Sequence, residues 1–173
     1  VARALGDGGD PGPVYIDFPV DTQRGTVPKV IQMDEHFRAK PRTVSHPDDA
    51  AVEAAVELLW NARRPLVISG RGARAAGPEL DRLLRATGAV YLDTGETRGL
   101  ISDDHPSVIG AMRGAVMGQA DLVITIGRKL DFQLAYGSPA VFTNARFLRI
   151  SDTPTEIRDN RRGDAELLAT PSA

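Results

Sequence analysis

The run Asp121-Leu122-Val123-Ile124-Thr125-Ile126, closed by Gly127, constrains the fold more than any other stretch. Apolar and β-branched residues in unbroken succession leave no polar face for water. Such a run fits a strand covered on both sides, as in a parallel sheet, rather than a strand with one wet face. Leu66-Val67-Ile68-Ser69, Ala89-Val90-Tyr91-Leu92 and Phe147-Leu148-Arg149-Ile150 repeat the pattern in shorter form. Helical patterns lie between them. Asp48 and Asp49 open an amphipathic segment over 50–63, with Arg63-Arg64 at its end and Pro65 to stop it. Acids first and bases last suit the helix dipole. Gly77-Pro78-Glu79 starts a second helix, with Leu80, Leu83 and Leu84 on its core face and Gly88 just beyond it. Weaker helical patterns cover 111–119, 128–136 and 155–161. Alternating strands and helices imply right-handed crossovers, hence an α/β fold with a parallel sheet and helices on both faces. Ligands of such sheets sit at the carboxyl ends of the strands. The loops of interest are therefore 70–77, 93–105, 127–131 and 151–154.

Composition narrows the function classes. Lys and Arg number 21 against 23 Asp and Glu, a net charge of −2, so nothing drives the chain toward nucleic acid or a membrane surface. With no Cys there is no disulfide, thiolate metal site or Cys nucleophile. No apolar run nears the ~20 residues of a membrane span, and no signal peptide is recognisable. The expectation is a soluble, cytoplasmic domain.

The first 47 residues read differently. Val1 to Leu5 looks like a helix end, residues 6–13 a glycine- and proline-dense loop, and Val14 to Val20 a β-prone segment closed by Pro19. A lone strand needs a sheet from elsewhere, so the chain is expected to be a piece of a longer polypeptide. Residues 21–47 are polar, carry Pro28, Pro41 and Pro47, and show no sustained period, which suits a strap between domains.

Three constellations at the strand ends invite chemistry. Gly70-Arg71-Gly72-Ala73-Arg74-Ala75 fits G-x-G-x-x-G/A, and Asp93 lies at the end of the next strand, where a ribose-binding acid would sit. That is the case for a dinucleotide site. The helix, however, begins only near Pro78, and a purely structural glycine turn explains the spacing equally well. In a broader form, glycine turns let backbone N–H groups approach a phosphate while Arg71 supplies charge. Gly127-Arg128-Lys129 places two cations after a strand, so a diphosphate could lie between Arg71 and Lys129 or Arg128; solvated surface charge is the alternative. Ser151-Asp152 ends the last strand, where an acid can hold ribose hydroxyls or cap a helix. His36, His46 and His105 lack metal-ligand spacing, and His105 is expected to stabilise its loop. Asp7-Gly8-Gly9 followed by Met33-Asp34-Glu35-His36 does not make a thiamine diphosphate–magnesium motif, which needs an Asn-rich end.

The ordered set of features resembles the thiamine-diphosphate-dependent, acetolactate synthase-like enzymes. Gly12-Pro13-Val14-Tyr15-Ile16-Asp17-Phe18-Pro19-Val20-Asp21 is similar to the closing strand of that family's N-terminal pyrimidine-binding domain. The matching pieces of its central domain are Arg64 to Ile68, Gly70 to Ala73, Arg98-Gly99, Asp104-His105-Pro106, Gly110 to Gly114, Ala120 to Gly127 and Ile150 to Ile157. The resemblance implies three parts: 1–25, a remnant of the pyrimidine-binding domain; 26–47, a linker; and 48–173, a central, Rossmann-like domain with a parallel sheet of about six strands. In relatives this domain is structural, or holds FAD, ADP or the ADP portion of coenzyme A. The implied cofactor-binding residues are Gly70, Arg71, Gly72, Met112, Gly127, Lys129, Ser151 and Asp152. Ala111-Met112-Arg113-Gly114 replaces the Gly-Met-His-Gly of acetolactate synthases, and Gly127-Arg128-Lys129-Leu130-Asp131-Phe132 their Gly-Ala-Arg-Phe-Asp-Asp. Both changes lead away from FAD, and Leu130 to Gly137 is closer to benzaldehyde lyase and the CoA-linked members.

The resemblance places the activating glutamate and the diphosphate–magnesium motif outside these residues. Thiamine diphosphate and magnesium are then expected in the full-length lyase or transferase, acting on 2-oxo acids, 2-hydroxy ketones or acyl-CoAs, with no catalytic residue here. Partners would be the missing domains and further copies, as a homodimer or homotetramer. Two other functions stay open: an autonomous NAD-binding oxidoreductase domain using Asp93, and a non-catalytic nucleotide-binding module.

Overall fold

The computed structural model describes residues 3–5, 12–27 and 43–173. The chain divides into two compact units, Val1–Thr43 and Val44–Ala173. Most of the expected linker, and most of the 6–13 loop, lie outside the described residues.

In the first unit a 3-10 turn covers Arg3–Leu5. The strand expected over Val14–Val20 is not formed. Residues 12–19 belong to no element, and a short helix α1, Val20–Arg24, begins where that strand would end. A strand is sustained by its ladder, and among the described residues no neighbouring strand pairs with these. Pro19 instead opens α1, whose Gln23 Nε2 donates to the Phe18 carbonyl at 2.6 Å. Tyr15 and Ile16 are left exposed.

The second unit contains α2 (Asp49–Asn61), β1 (Pro65–Ser69), α3 (Gly77–Thr87), β2 (Val90–Leu92), α4 (Arg113–Gln119), β3 (Leu122–Ile126), β4 (Arg146–Ser151), α5 (Pro154–Ile157) and β5 (Ala165–Leu168). The strands form one sheet in the order β2-β1-β3-β4-β5, with every pairing parallel. The expected α/β, Rossmann-like architecture is therefore present, with five strands rather than about six. Beside β2, Val108 makes one parallel bridge to Tyr91. Pro106 and Gly110 bound that stretch so closely that no ladder develops there.

Strand alternation divides the core into two layers. Val67, Tyr91, Ile124 and Leu148 pack under Leu58 of α2 and Leu80 and Leu84 of α3. Leu66, Ile68, Val123 and Phe147 face the other side, against Val116 of α4, Leu134 and Phe142. Phe142 meets Phe147 edge to face at 5.3 Å, and the Arg161 guanidinium lies 4.1 Å from the Phe147 ring centre. Burial on both faces is why these strands read as continuous apolar runs.

The helix signals act as expected. Asp48 Oδ1 caps α2, accepting from Ala50 N at 2.8 Å. Gly88 takes the left-handed conformation that ends α3, with φ +63°. Two expected helices are cut short. After β3 only a 3-10 turn forms, Phe132–Gly137, broken by positive φ at Ala135 and Tyr136. Residues 155–161 give only α5, because the Asp159, Asn160 and Arg161 that follow turn back to bond the loop after β3 and the strand β4.

Candidate functional site

The carboxyl ends of β1, β3 and β4 are adjacent in the sheet, so the loops beginning at Gly70, Gly127 and Ser151 stand side by side. Glycine sets how closely the first two approach. A Cβ on Gly72 would lie 2.7 Å from Gly127 Cα, one on Gly70 would lie 2.8 Å from Arg128 Cα, and one on Gly127 would lie 2.6 Å from Ala73 N. These glycines also exchange hydrogen bonds. Gly70 N–H donates to Ile126 O at 2.9 Å, Gly72 N–H to Gly127 O at 3.1 Å, and Gly127 N–H to Ile150 O at 2.7 Å. All three amides are thus engaged within the fold. They fix the spacing of the loops, and the side chains these loops carry are what faces outward.

Those side chains are Arg71 and Lys129, both exposed. Arg71 Nε and Nη2 meet Glu96 Oε1 at 2.9 and 2.8 Å. The Arg71 hydrogen bond holds the Glu96 carboxyl below the usual glutamate range, with Arg74 and Arg128 adding to it. Glu96 is placed from beneath: Ser69 Oγ shares a 2.6 Å hydrogen bond with the Tyr91 hydroxyl and donates to Thr97 Oγ1 at 2.8 Å. This buried trio anchors the turn after β2 that presents Glu96.

Glu156, at the start of α5, faces the same edge. Half-burial raises its pKa above the ordinary value, partly offset by the Ser151 hydroxyl at 3.4 Å and by the charges of Lys129 and Arg71. Ser151 is buried, accepting from Thr153 N–H at 3.1 Å while donating to Glu156. It orders the loop that carries the half-buried Asp152, whose Oδ1 accepts from Thr153 Oγ1 at 3.2 Å.

Arg128 does not share the exposed position of Lys129. It turns inward, bidentate to Asp131 at 2.8 and 3.0 Å and bonded to Gln133 Oε1 at 2.8 Å. Met112, at φ +61°, precedes α4 on the β2 side, where its neighbour Arg113 bonds Asp93. Asp93 itself, the acid the dinucleotide pattern requires, is bridged by Arg98 and Arg113. A 3-10 turn over Arg71–Ala73, which includes Gly72, stands between Gly70 and α3. Neither feature favours a pyrophosphate resting on the first turn of a helix. His105 holds its loop as expected, Nδ1 accepting from Ser107 N–H at 3.1 Å.

Sequence reasoning missed Glu96, Glu156 and Arg149. Glu156 reads as a first-turn acid serving the helix dipole. A charge inside the apolar run 147–150 was the available signal for Arg149. Among the described residues no cluster of His, Cys, Asp and Glu could hold a metal ion, and no helix is long and apolar enough to cross a membrane.

Comparison with known proteins agrees with this architecture. The family model described as "Thiamine pyrophosphate enzyme, central domain" matches residues 52–173. The chain is 34% identical to 2-hydroxyacyl-CoA lyase 1 of Dictyostelium discoideum over 80% of its own length and 25% of the relative's. It is 30% identical to oxalyl-CoA decarboxylase of Escherichia coli K12, over 88% of this chain and 28% of the relative. A probable acetolactate synthase large subunit of Methanococcus aeolicus is 28% identical, over 92% and 30%. The chain spans little more than a quarter of the length of these curated relatives.

Proposed function

Because the chain belongs to the thiamine pyrophosphate enzyme family, as its central domain, we propose that it forms the middle layer of a longer enzyme and binds an adenosine diphosphate moiety. ADP, coenzyme A and FAD share that moiety, and the shared chemistry is what the edge would recognise. The supporting observation is that the loops after the adjacent strands β1 and β3, which carry the exposed Arg71 and Lys129, are held in close contact at Gly70, Gly72 and Gly127, with the Ser151-Asp152 loop of β4 next in the sheet. The two cations flank the diphosphate, with charge-assisted bonds that a guanidinium makes well. Asp152 accepts from ribose hydroxyls. Gly70, Gly72 and Gly127 set the distance between the cation-bearing loops, and Ser151 positions the Asp152 turn. Met112 stands at the β2 end, where the distal part of a longer ligand would reach.

The parent enzyme would cleave or form a bond next to a carbonyl of 2-oxo acid, 2-hydroxy ketone or acyl-CoA substrates, the last being the class printed in the names of the 2-hydroxyacyl-CoA lyase and oxalyl-CoA decarboxylase relatives. Thiamine diphosphate supplies the electron sink for such reactions. The described residues do not fit that group, since no cluster of three or more His, Cys, Asp or Glu among them could hold its magnesium. No step of thiamine chemistry is assigned to them.

Glu96 competes with a diphosphate for Arg71. Replacing Glu96 with Gln is therefore expected to tighten ADP binding by about threefold to fivefold, the worth of one exposed ion pair. Thermal shift at graded ADP, AMP and adenosine tests the assignment, because a ligand specific for the folded state raises the melting temperature. ADP should stabilise the chain, adenosine should not, and Glu96→Gln should shift the ADP curve to lower concentration. Equal responses to ADP and adenosine would remove the diphosphate role.

A further inference from the structure

Helix α2 carries two apolar stripes. One, made by Ala55 and Leu58 with Ala51, Leu59 and Ala62, packs into the core. The other, Val52, Val56 and Trp60, is exposed. Its members recur every four residues, so they share one line along the helix, turned away from the sheet. Single exposed apolar residues are ordinary, whereas three in a row form a patch. Trp60 is the only tryptophan of the chain, and it is 88% exposed. With about 150–250 Å² to bury, tryptophan is among the costliest side chains to leave in water.

The same line ends in opposite charges. Asp49 stands three residues before Val52, and Arg63 three residues after Trp60, just beyond the last helical turn. Both are exposed, and among the described residues neither makes an ion pair. The Arg63 main-chain N–H donates to Asp121 Oδ2 at 2.8 Å, which fixes the backbone there without using the guanidinium. The stripe is also balanced about its middle. Asp49 and Arg63 lie seven residues to either side of Val56, and Val52 and Trp60 lie four.

We propose that this stripe is a contact between two copies of the chain, their α2 helices packed antiparallel about a two-fold axis at Val56. A two-fold contact is self-complementary, so each residue meets the one equally far beyond Val56 on the second copy. Trp60 of each copy then covers Val52 of the other, and Asp49 of each faces Arg63 of the other. A parallel arrangement would set Asp49 against Asp49 and Arg63 against Arg63. The apolar residues supply the affinity, and the exposed charges set the orientation. Glu53 and Glu57 run beside the stripe and stay on a wet rim, where like charges keep the contact weak. One helix length per copy falls below the ~1,200 Å² of standard interfaces, so a dissociation constant of about 10–300 µM is expected. The contact uses none of the residues assigned to adenosine diphosphate and does not depend on that assignment.

The test is sedimentation equilibrium of the chain across that concentration range, beside its tryptophan emission, which reports Trp60 alone. A monomer–dimer equilibrium is expected, with the emission moving to the blue as the dimer fills. Trp60→Glu should weaken association by about tenfold or more. Asp49→Lys and Arg63→Glu, each striking two symmetric contacts, should weaken it by about fivefold. An equimolar mixture of those two variants should recover the parent affinity, because opposite charges again meet at both ends. All three side chains are exposed, and Arg63 lies outside the helix, so the arms survive any loss of helix stability in Asp49→Lys. A chain that stays monomeric, a dimer whose emission does not move, full association in Trp60→Glu, or a mixture no stronger than either variant alone would each overturn the proposal.

Discussion

Arg149→Met is expected to lower the unfolding free energy by about 3–5 kcal/mol, the cost of removing one partner from a buried ion pair. Arg149 is the largest side chain in the core and is 1% exposed, within a strand that otherwise reads as apolar. Its Nη1 donates to Asp159 Oδ1 at 3.0 Å and to Arg161 O at 2.5 Å. Its Nη2 donates to Glu156 O at 2.7 Å, and its Nε to Thr125 Oγ1 at 2.8 Å. One guanidinium thus ties β3, α5 and the turn before β5 to β4. Methionine fills much of the volume and satisfies none of these acceptors. Lysine, with three donors and no planar fork, should recover only part of the loss. Urea unfolding followed by circular dichroism reads the effect directly. A loss under about 1 kcal/mol would mean that water replaces the guanidinium freely and the network holds nothing together.

Gly127→Ala should cost about 3 kcal/mol or more, combining left-handed backbone strain with overpacking. Gly127 has φ +53°, and a Cβ there would meet Gly72 Cα and C and lie 2.6 Å from Ala73 N. The obstruction is backbone, so no side chain can rotate to relieve it. The loops bearing Arg71 and Lys129 must separate, and the nucleotide effect should fall with the stability. Gly88→Ala is the control: φ is +63° but nothing lies within 4 Å of the added methyl. It should cost about 1 kcal/mol from conformation alone. Equal losses in the two variants would show that the close approach of the loops is not what Gly127 provides.

The parallel sheet was legible because strands buried on both faces must be apolar throughout, and 122–126 leaves no other reading. Asp48, Pro78 and Gly88 marked helix ends through local chemistry that needs no tertiary context. The carboxyl edge followed from topology, and it holds the loops of Arg71, Lys129 and Asp152. What sequence could not give depends on partners distant in the chain. β5 is short, carries Glu166 in its middle, and is a strand because β4 offers it a ladder. Val14–Val20 has the composition of a strand and, among the described residues, no such neighbour. Gly70 and Gly72 resemble a phosphate cradle, yet their amides face carbonyls of the loop and strand beside them. Arg128 and Lys129 are indistinguishable in sequence, and only the position of Asp131 turns one inward and leaves the other out.

Calorimetric titration of the chain with ADP, beside its Arg71→Ala variant, tests most directly whether the β1–β3–β4 edge is a nucleotide site. A single class of site should appear in the parent chain and bind about tenfold or more weakly in the variant, the worth of one charge-assisted contact. Absence of binding to the parent chain, or equal affinity in both proteins, would contradict it.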